Sequence, residues 1–425
     1  MKCMLRAALA GVAAVALAVT AALAGGQSAQ AASLVQVTGF GTNPSNLNMY
    51  IYVPDRVAAR PALLVAMHYC SGSASAVANG YFRDYQTAAD QYGYIIVFPE
   101  ATRSGNCFDV YSAQALQRGG GSDPVGIISM VNYTKSRYNV DPSRVYATGV
   151  SSGAMMTNVM LAEYPDVFAA GSAFMGVPAG CFATTGGSTW NSQCANGQIS
   201  KTAQQWGDLA RSMNPGYSGA QPRMQLWHGT TDSTLNYNNF GEEIKQWTNV
   251  RGVSQTPVLT DSPASGWTRT RYGSSSVTAP VEGNSLAGVG HSLPQNGMIA
   301  YAINFLGLNS TSASPSVPSS PSPSSPSPSP SSPGGSCTAS ITPGTVWGDR
   351  YNTSVTVSGA STWTVTVNIT APQKVSTTWS GAFTWSNGGN TMTVKPNGSG
   401  NTFGFTTMTN GNSSARPQIT SCIPS

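Results

Sequence analysis

Residues 145–159 read VYATGVSSGAMMTNV and place two serines between two glycines, where a strand-like run meets a helix-like one. Gly149, Ser151 and Gly153 fit the pattern G-x-S-x-G, in which a nucleophilic serine occupies a sharp strand-to-helix turn. Small flanking residues are needed there because the backbones of the strand and the helix come close. The same letters also suit an ordinary Gly/Ser turn. A nucleophile therefore needs a base, an acid and an oxyanion hole from elsewhere in the chain.

The N-terminal residues have the layout of a secretory signal peptide. Lys2 and Arg6 precede a long run of Ala, Leu and Val, and Ala29-Gln30-Ala31 forms an A-x-A cleavage site. We therefore predict that residues 1–31 are a signal peptide and that the protein is secreted. A membrane anchor is the alternative, but the Ala-rich core and the small-residue end disfavour it. No later segment is apolar for long enough to span a bilayer.

The composition argues against a nucleic-acid partner. Loss of the two positive charges of Lys2 and Arg6 lowers the formal net charge from +5 to +3, which is too weak for nucleic-acid binding. Charged residues make up only 9% of the chain, against about 25% in typical globular proteins. Solubility must therefore rest on Ser, Thr, Asn and Gln, and we expect a monomer with no nucleic-acid or membrane partner.

The cysteines predict disulfide bonds. Cys3 leaves with the signal peptide, and an even number of cysteines remains in an exported chain. Sequence order suggests the pairs Cys70–Cys107, Cys181–Cys194 and Cys337–Cys422, the last of which brackets one compositionally distinct block. No C-x-x-C motif or His/Cys cluster occurs, so we predict no metal site and no cofactor.

A Pro/Ser-rich segment divides the mature chain in two. Residues 310–336 read STSASPSVPSSPSPSSPSPSPSSPGGS, which predicts an extended, semi-rigid linker. The sequence pattern differs on its two sides. We therefore predict separate domains at 32–309 and 337–425.

The first domain alternates strand-like and helix-like stretches. The strand-like runs are short and almost continuously apolar, as in parallel strands that are buried on both faces. They are MYIYVP, ALLVAMHY, YIIVFPE, RVYATGV, FAAGSAFMG and MQLWHG. Asp123 as N-cap and Pro124 in the first turn begin one helix, and Pro165 ends another. This alternation predicts an α/β fold with a doubly wound sheet.

The second domain has a different pattern. Its stretches TSVTVSG, TWTVTVNIT, VSTTWSG, AFTWSN, TMTVKP and NTFGFTTMT are rich in Thr and Val and alternate with period two. Gly, Asn and Pro turns separate them, and no helical pattern appears. The block is predicted to be an all-β sandwich.

The chain has three histidines from which a base for Ser151 must come. In an α/β-hydrolase the order is nucleophile, acid, histidine. His68 precedes the serine, and His228 ends an apolar strand with little room for an acid before it. His291 lies in the late glycine-rich stretch GVGHSLP, just before the last predicted helix, and is the candidate base.

Asp232 is the candidate acid. It lies in LWHGTTDSTL, in the loop at the carboxyl end of a strand, where the active sites of open α/β sheets are found. Its alternative role is an Asx-turn residue. Asp208, in a predicted helix, and Asp261, in a loop near Pro263, are weaker candidates. The predicted catalytic residues are thus Ser151, Asp232 and His291.

The oxyanion hole requires two backbone N–H groups. Ser152, directly after the nucleophile, is expected to supply one. The loop that follows LLVAMHY is expected to supply the other, from Cys70, with Tyr69 beside it. A disulfide at Cys70 would hold this loop rigid. We interpret His68 as a buried, hydrogen-bonded structural residue.

The first domain closely resembles the secreted acetylxylan esterases of carbohydrate esterase family one, relatives of feruloyl esterases and extracellular polyhydroxybutyrate depolymerases. The matching stretches are MYIYVP, HYCSGSA, NCFDVYS, the run 144–182, PRMQLWHGTTDSTL and GVGHSLP. The resemblance covers nearly all of 33–307. It implies an α/β-hydrolase fold with Ser151 as nucleophile, His291 as general base and then acid, and Asp232 as the carboxylate that orients His291.

The resemblance implies a secreted serine esterase that hydrolyses acetyl esters on xylan without a cofactor. A feruloyl esterase is the alternative, and a polyhydroxybutyrate depolymerase is a more distant one. A feruloyl esterase needs an apolar slot, and the sequence leaves open whether certain tryptophans line such a slot, line a sugar cleft or fill the core. These are Trp190, Trp206, Trp227 and Trp247. A rival hypothesis, a binding protein with an inactive hydrolase fold, predicts a broken triad.

The block after the linker resembles the family 2 carbohydrate-binding modules of bacterial polysaccharide-degrading enzymes. WGDRYNTSVTV, STWTVTVNI, VSTTWSG and NTFGFTTM carry this resemblance. Such modules bind sugars on flat, exposed aromatic rings. The resemblance therefore implies that Tyr351, Trp379 and Trp385 bind insoluble cellulose or xylan. Trp363 is expected in the core, and Trp347 fits either place.

Overall fold

The computed structural model describes residues 32–310 and 337–424, except 296, 347, 361, 398–399 and 413–414. The predicted signal peptide, the predicted linker from 311 onwards and Trp347 therefore lie outside the described residues. The described residues form two compact units, one on each side of 311–336. No helix in this described part of the chain is long and apolar enough to cross a membrane.

The first unit is built on a ten-stranded sheet with the order β1-β2-β4-β3-β5-β6-β7-β10-β9-β8. The strands are β1 Leu34–Val37, β2 Asn48–Tyr52, β3 Leu63–Met67, β4 Ile95–Glu100, β5 Val145–Val150, β6 Ala170–Phe174, β7 Arg223–Gly229, β8 Leu259–Asp261, β9 Trp267–Tyr272 and β10 Val281–Leu286. From β4 to β10 neighbouring strands run parallel. The outer pairs at both edges are antiparallel.

Helices cover both faces of this sheet. They are α1 Ala74–Asn79, α2 Arg83–Tyr92, α3 Asp123–Arg137, α4 Ser152–Glu163, α5 Ser192–Ala195, α6 Ala203–Ser212, α7 Asn238–Val250 and α8 Met298–Leu306. Successive side chains of a strand point to opposite faces, and in β3 Val65 and Met67 join one hydrophobic cluster while Leu64 and Ala66 join another. The first cluster includes residues of α3, α4, α6 and α7, and the second includes residues of α1, α2 and α8.

Helix α4 explains why the sequence after Ser151 has no distinct polar face. Every residue from Ser152 to Glu163 is buried, because the helix packs on β3, β5 and β6 and also contacts α3 and α6. A helix surrounded in this way has no polar face. The nucleophile candidate therefore directly precedes a helix that is packed on all sides.

Two details of the first unit correct the sequence-based expectations. The N-cap of α3 is Ser122, not Asp123, which lies inside the helix and accepts hydrogen bonds from Arg103 and from the backbone N–H of Asp109. The run MYIYVP forms β2, which pairs antiparallel with β4 and is not part of the parallel region.

The second unit consists of two four-stranded antiparallel sheets with the orders β11-β12-β17-β14 and β15-β16-β13-β18. The strands are β11 Thr338–Val346, β12 Arg350–Ser358, β13 Trp363–Asn368, β14 Lys374–Trp379, β15 Ala382–Ser386, β16 Thr391–Lys395, β17 Thr402–Met408 and β18 Gln418–Pro424. One hydrophobic cluster draws residues from both sheets. Trp363 is fully buried in it and stacks on Phe403, as expected of a core tryptophan.

The disulfides pair in sequence order. Bonds join Cys70 to Cys107, Cys181 to Cys194 and Cys337 to Cys422. The first two lie in the first unit and the third lies in the second unit, so no disulfide joins the units among the described residues.

Candidate active site

Ser151 occupies the turn between β5 and α4 in a backbone conformation that most residues avoid. Its φ is 54° and its ψ is −115°, and a non-glycine residue with positive φ is uncommon and strained. The backbone N–H of Ser151 donates to Phe174 O at 2.9 Å, which ties the turn to the end of β6. The turn thus places the serine side chain just beyond the end of β5.

The two glycines of the motif are required by close backbone contacts. A Cβ on Gly149 would lie 2.1 Å from the carbonyl oxygen of Gly153, and a Cβ on Gly153 would lie 2.3 Å from that of Met67. Both distances are shorter than van der Waals contact. The two oxygens belong to the backbone, which cannot shift as a flexible side chain can. The G-x-S-x-G spacing therefore reflects the packing of α4 against β5 and β3.

The structure brings the three predicted catalytic residues into one hydrogen-bond chain. Ser151 Oγ lies 2.9 Å from His291 Nε2, and His291 Nδ1 lies 2.7 Å from Asp232 Oδ2. An ionised carboxylate only accepts hydrogen bonds, so Nδ1 carries the proton and Nε2 is free to accept the serine hydroxyl proton. This is the arrangement in which a histidine acts as a base toward a serine.

Asp232 is buried, and its environment keeps it ionised. Burial by itself raises the pKa of this carboxyl, but hydrogen bonds from His228 and His291, the charge of His291 and the backbone N–H of Leu235 hold the pKa well below its usual value. Its Oδ1 accepts the N–H groups of Thr234 and Leu235, both at 2.9 Å. Asp232 therefore makes the Asx-type turn considered from the sequence and also contacts the histidine.

The loops that carry Asp232 and His291 are joined by backbone hydrogen bonds. Thr231 N donates to Val289 O at 3.0 Å, and Gly288 N donates to Thr230 Oγ1 at 2.9 Å. The loops come so close that a Cβ on Gly229 would lie 2.2 Å from Val289 O. The spacing of acid and base is thus fixed by the backbone.

His228 is a second histidine beside Asp232, and the sequence argument assigned it no role there. It is fully buried, and its Nε2 lies 2.8 Å from Leu235 O and 3.4 Å from Asp232 Oδ2. The spacing of His228 and Asp232 in HGTTD is the sequence signal for this contact, because both residues flank one tight turn.

The predicted oxyanion-hole loop is held by several contacts. The carbonyl oxygen of Tyr69 accepts the backbone N–H of Gly72 at 3.0 Å and lies 2.7 Å from His68 Nδ1. His68 Nε2 accepts the backbone N–H of Ala101 at 3.0 Å, so its proton lies on Nδ1. His68 is thus a buried, hydrogen-bonded residue, as expected. The N–H of Cys70, in the same peptide group as Tyr69 O, points the opposite way.

The weaker acid candidates have other partners. Asp208 accepts one hydrogen bond from the side chain of Arg211, and Asp261 accepts two from the side chain of Arg269. Neither aspartate contacts His291 within the described structure. Among the tryptophans considered for a binding slot, Trp190 is exposed, while the others are buried core residues, namely Trp206, Trp227 and Trp247.

Of the three aromatic residues predicted to bind carbohydrate, Tyr351 is placed differently by the structure. Its side chain is only 2% exposed, and its hydroxyl donates to Gln373 Oε1 at 2.8 Å. On β12 it points inward with Val355, so its ring is not available to a sugar. Trp379 and Trp385 are 38% and 44% exposed, on β14 and β15 of different sheets.

No three His, Cys, Asp or Glu side chains of residues 32–310 and 337–424, masked positions aside, cluster in a way that would hold a metal ion.

Comparison with known proteins assigns the first unit to a family. A family model described as "Esterase PHB depolymerase" matches residues 47–191, which include Ser151. Feruloyl esterase B of Talaromyces funiculosus is 48% identical over 283 residues, covering 66% of this chain and 78% of that enzyme. Acetylxylan esterase A of Emericella nidulans is 46% identical over 269 residues, covering 62% of this chain and 86% of that enzyme. The chain belongs to this esterase family.

The esterase also resembles a solved structure. The acetyl xylan esterase from Aspergillus awamori aligns with a TM-score of 0.61 and 42% identity, over 65% of this chain and 99% of that one. The protein is a carboxylic ester hydrolase. The alignment covers 65% of this chain, so part of the chain lies beyond what this structure explains.

Proposed function

We propose that the esterase is secreted and removes acetyl groups from xylan, with Ser151 as its nucleophile. The proposal is carried by the hydrogen-bond chain from Ser151 Oγ through His291 to Asp232, with distances of 2.9 and 2.7 Å. The three residues follow parallel strands β5, β7 and β10 in the order nucleophile, acid, histidine. This order supports assignment of the first unit, residues 32–309, to the α/β-hydrolase fold.

In the first step Ser151 Oγ attacks the acetyl carbonyl carbon while His291 Nε2 takes the hydroxyl proton. The carbonyl oxygen becomes negative, and the N–H groups of Ser152 and Cys70 stabilise it. Ser152 is the first residue of α4, where backbone N–H groups have no acceptor within the helix. His291 then donates its proton to the departing xylan hydroxyl, and the acetyl group stays on Ser151.

In the second step a water molecule completes the hydrolysis. His291 takes a proton from the water, the resulting hydroxide attacks the acetyl carbon, and His291 returns the proton to Ser151 as acetate leaves. Asp232 remains ionised throughout and stabilises the protonated His291. The buried position of Asp232 and its turn keep the imidazole in the required orientation.

Ferulate is the second candidate for the acyl group, because feruloyl esterase B of Talaromyces funiculosus is 48% identical to this chain. The two candidates differ in their products. Acetate release from acetylated xylan should exceed ferulate release from methyl ferulate and hydroxybutyrate release from polyester film. If ferulate or hydroxybutyrate is released faster than acetate, the acyl group released fastest replaces acetyl in the proposed function.

Ser151→Ala tests the nucleophile. Loss of a serine nucleophile typically leaves only residual catalysis, several orders of magnitude below wild type. Acetate release should therefore fall by about 10³-fold or more, while circular dichroism stays unchanged. Ser152→Ala is the matched control, because it retains the backbone N–H proposed for the oxyanion hole. Near-normal turnover of Ser151→Ala would refute the assignment.

Asp232→Asn tests the acid. Asparagine preserves the shape of the side chain but stabilises the wrong tautomer of His291, with an expected loss in turnover of about 10⁴-fold. Asp261→Asn, which breaks only the partly buried ion pair with Arg269, should retain turnover. If Asp261→Asn is the damaging change instead, the acid is misassigned.

We further propose that the second unit, residues 337–425, is a β-sandwich that binds insoluble cellulose or xylan. One hydrophobic cluster shared by the two sheets supports the sandwich. The exposed rings of Trp379 and Trp385 support carbohydrate binding. The Pro/Ser stretch would then act as the linker, and residues 1–31 as the signal peptide.

A further inference from the structure

A cleft of about 520 Å³ is lined in part by residues close in the chain to the proposed oxyanion hole and to the catalytic base, and the mechanism above does not use it. Tyr69 and Tyr81 line it, together with Pro294, Gln295 and Ile299. Sites for small molecules typically measure about 300–1,000 Å³. The cleft is therefore large enough to hold part of a substrate.

The walls of the cleft continue the loops that carry the catalytic groups. Tyr69 directly follows His68, whose carbonyl oxygen lies 3.5 Å from Ser152 Oγ. Pro294 shortly follows His291, and the backbone N–H of Leu293 between them contacts Met175 Sδ at 3.3 Å. One wall thus follows the proposed oxyanion-hole loop in the chain and the other follows the catalytic base, which points to a cleft that adjoins the reaction centre.

The aromatic rings suit a sugar. Tyr69 and Tyr81 meet edge to face, with ring centroids 5.7 Å apart and planes at 83°. Tyr81 is 37% exposed, in the short turn between α1 and α2, so part of its ring is open to a ligand. The C–H faces of pyranose rings pack on such aromatic surfaces, which are apolar over the ring and polar at the hydroxyl.

The polar groups of the cleft suit an uncharged ligand with many hydroxyls. Arg83 and Asp84 begin α2 and line the cleft with one positive and one negative charge. Within the described part of the chain, neither charged group forms an ion pair, and neither tyrosine hydroxyl forms a hydrogen bond. Donors and acceptors are therefore both available, and the cleft carries no net charge that would favour an ion.

The position of the base identifies which part of the ester faces the cleft. His291 must reach the leaving alcohol oxygen to protonate it. The wall formed by Pro294 and Gln295 follows His291 in the chain, and this adjacency points to the alcohol side of the ester. For an acetylated polysaccharide, the alcohol is the sugar.

We propose that this cleft binds xylopyranosyl residues of the substrate on the alcohol side of the scissile ester, with Tyr81 as the exposed stacking ring. The cleft would thus select for a carbohydrate chain over a simple acetyl ester. The proposal rests on the proposed function, because it assumes that acetylated xylan is the substrate.

Tyr81→Ala in the full-length protein tests the cleft. With acetylated xylo-oligosaccharides, its KM should rise about fivefold or more, while kcat stays within about twofold, because sugar stacking is lost and the catalytic groups are untouched. With methyl acetate, whose leaving group is too small to reach the cleft, kcat/KM should not change. Tyr138→Ala, which alters a tyrosine of a separate cleft beside β1, is the matched control and should equal wild type on both substrates.

Each other result overturns the inference in a recognisable way. An unchanged KM for the oligosaccharides means that the cleft binds no sugar. An equal loss on methyl acetate means that Tyr81 acts through the catalytic centre. A loss confined to methyl ferulate means that the cleft holds the acyl group. If the wild-type protein hydrolyses methyl acetate but not acetylated xylan, the result contradicts the proposed function. The cleft assignment, which assumes that function, is then contradicted too.

Discussion

His228 is the residue whose role is least visible from the sequence. Its Nε2 faces two acceptors, Leu235 O and Asp232 Oδ2, so Nε2 carries the proton. Its Nδ1 is buried and has no hydrogen-bond partner within the described structure. A proton on Nδ1 would be a buried, unsatisfied donor, which is costly. His228 therefore donates from Nε2 to Leu235 O and lies beside the carboxylate of Asp232, within the turn that carries Asp232.

His228→Phe should lower kcat about tenfold, a loss of about 1.4 kcal/mol of transition-state stabilisation. The ring volume is retained, but the donor to Asp232 and Leu235 is removed. His228→Gln places an amide N–H in the same region and should recover most of the loss. The measurement is kcat and KM on a soluble acetyl ester. Equal damage by Phe and Gln would show that the imidazole contributes packing and not a hydrogen bond.

At the level of elements, the turn from Tyr69 to Gly72 determines where the N–H of Cys70 points. Ser71 has φ of 60°, and its N–H donates to Gly105 O at 2.7 Å. The Cys70–Cys107 disulfide ties the same turn to the loop that contains Gly105. The turn is thus held by a covalent bond and by backbone hydrogen bonds.

Replacement of both Cys70 and Cys107 by alanine should lower kcat about tenfold or more while the protein stays folded. The reason is that a loosened turn no longer presents its N–H to the oxyanion, and loss of one such donor costs about 10²–10³ in kcat. The matched control replaces Cys337 and Cys422 by alanine, because that disulfide lies in the other unit. Unchanged turnover after removal of Cys70–Cys107 would place the second oxyanion donor elsewhere.

Helix α4 ends in a buried carboxyl group that makes stability depend on pH. Both carboxyl oxygens of Glu163 are buried and have no hydrogen-bond partner in the described structure. Burial raises the pKa of Glu163 to about 9, although the charge of Arg118 opposes the rise. An unfolded Glu has a pKa of about 4.3. The folded state thus keeps a proton that the unfolded state has lost across this window.

The free energy of unfolding should therefore fall as pH rises from about 4.3 toward about 9, because unfolding releases a proton throughout this range. Glu163→Gln cannot titrate and should show a smaller loss between pH 5 and pH 8.5, by about 1 kcal/mol or more. Asp55→Asn, which alters an exposed carboxylate, should keep the wild-type slope. Calorimetry of the full chain at the two pH values provides the measurement. Identical slopes for Glu163→Gln and wild type would contradict the buried position of Glu163.

Helices, strands and turns whose pattern arises from neighbouring residues could be predicted from the sequence. Those whose side chains pair with residues far away in the chain could not. The turn around Ser151 could be read because its glycines follow from contacts within one β–α unit. Strand β10 reads VEGNSL and was not predicted, because its polar residues find partners on other strands. Glu282 accepts hydrogen bonds from Arg271 at 2.6 Å and Gln225 at 2.7 Å, and such pairing leaves no local pattern.

The error over Tyr351 has a similar origin. A shift of one residue moves a strand's side chain to the opposite face of the sheet. The resemblance to binding modules suggested an outward ring, whereas the register of β12 with β17 turns it toward Thr407 and the core. The pairing register of the strands thus decides on which face of the sheet such an aromatic side chain lies, and the sequence does not show this register.

At the scale of the whole molecule, the chain combines a hydrolase unit with a second unit that exposes two tryptophans, Trp379 and Trp385. Trp379 pairs with Gly404 across β14 and β17. A Cβ on Gly404 would lie 2.3 Å from Cε2 and Cζ2 of Trp379. The indole therefore lies flat over the glycine, and its outer face remains exposed. This is the orientation in which a sugar ring can stack.

Trp379→Ala should weaken binding of the full chain to insoluble xylan or cellulose about tenfold, which corresponds to about 1.4 kcal/mol. Gly404→Val should have nearly the same effect, because the new side chain occupies the space beneath the indole and forces the ring off the sheet. Lys374→Gln, which alters an exposed side chain at the opposite end of β14 from Trp379, is the control and should bind like wild type. All three variants should hydrolyse small soluble acetyl esters at the wild-type rate, since the proposed catalytic residues belong to the first unit. Wild-type binding by Gly404→Val, in a protein that still melts normally, would show that the flat indole is not the sugar platform.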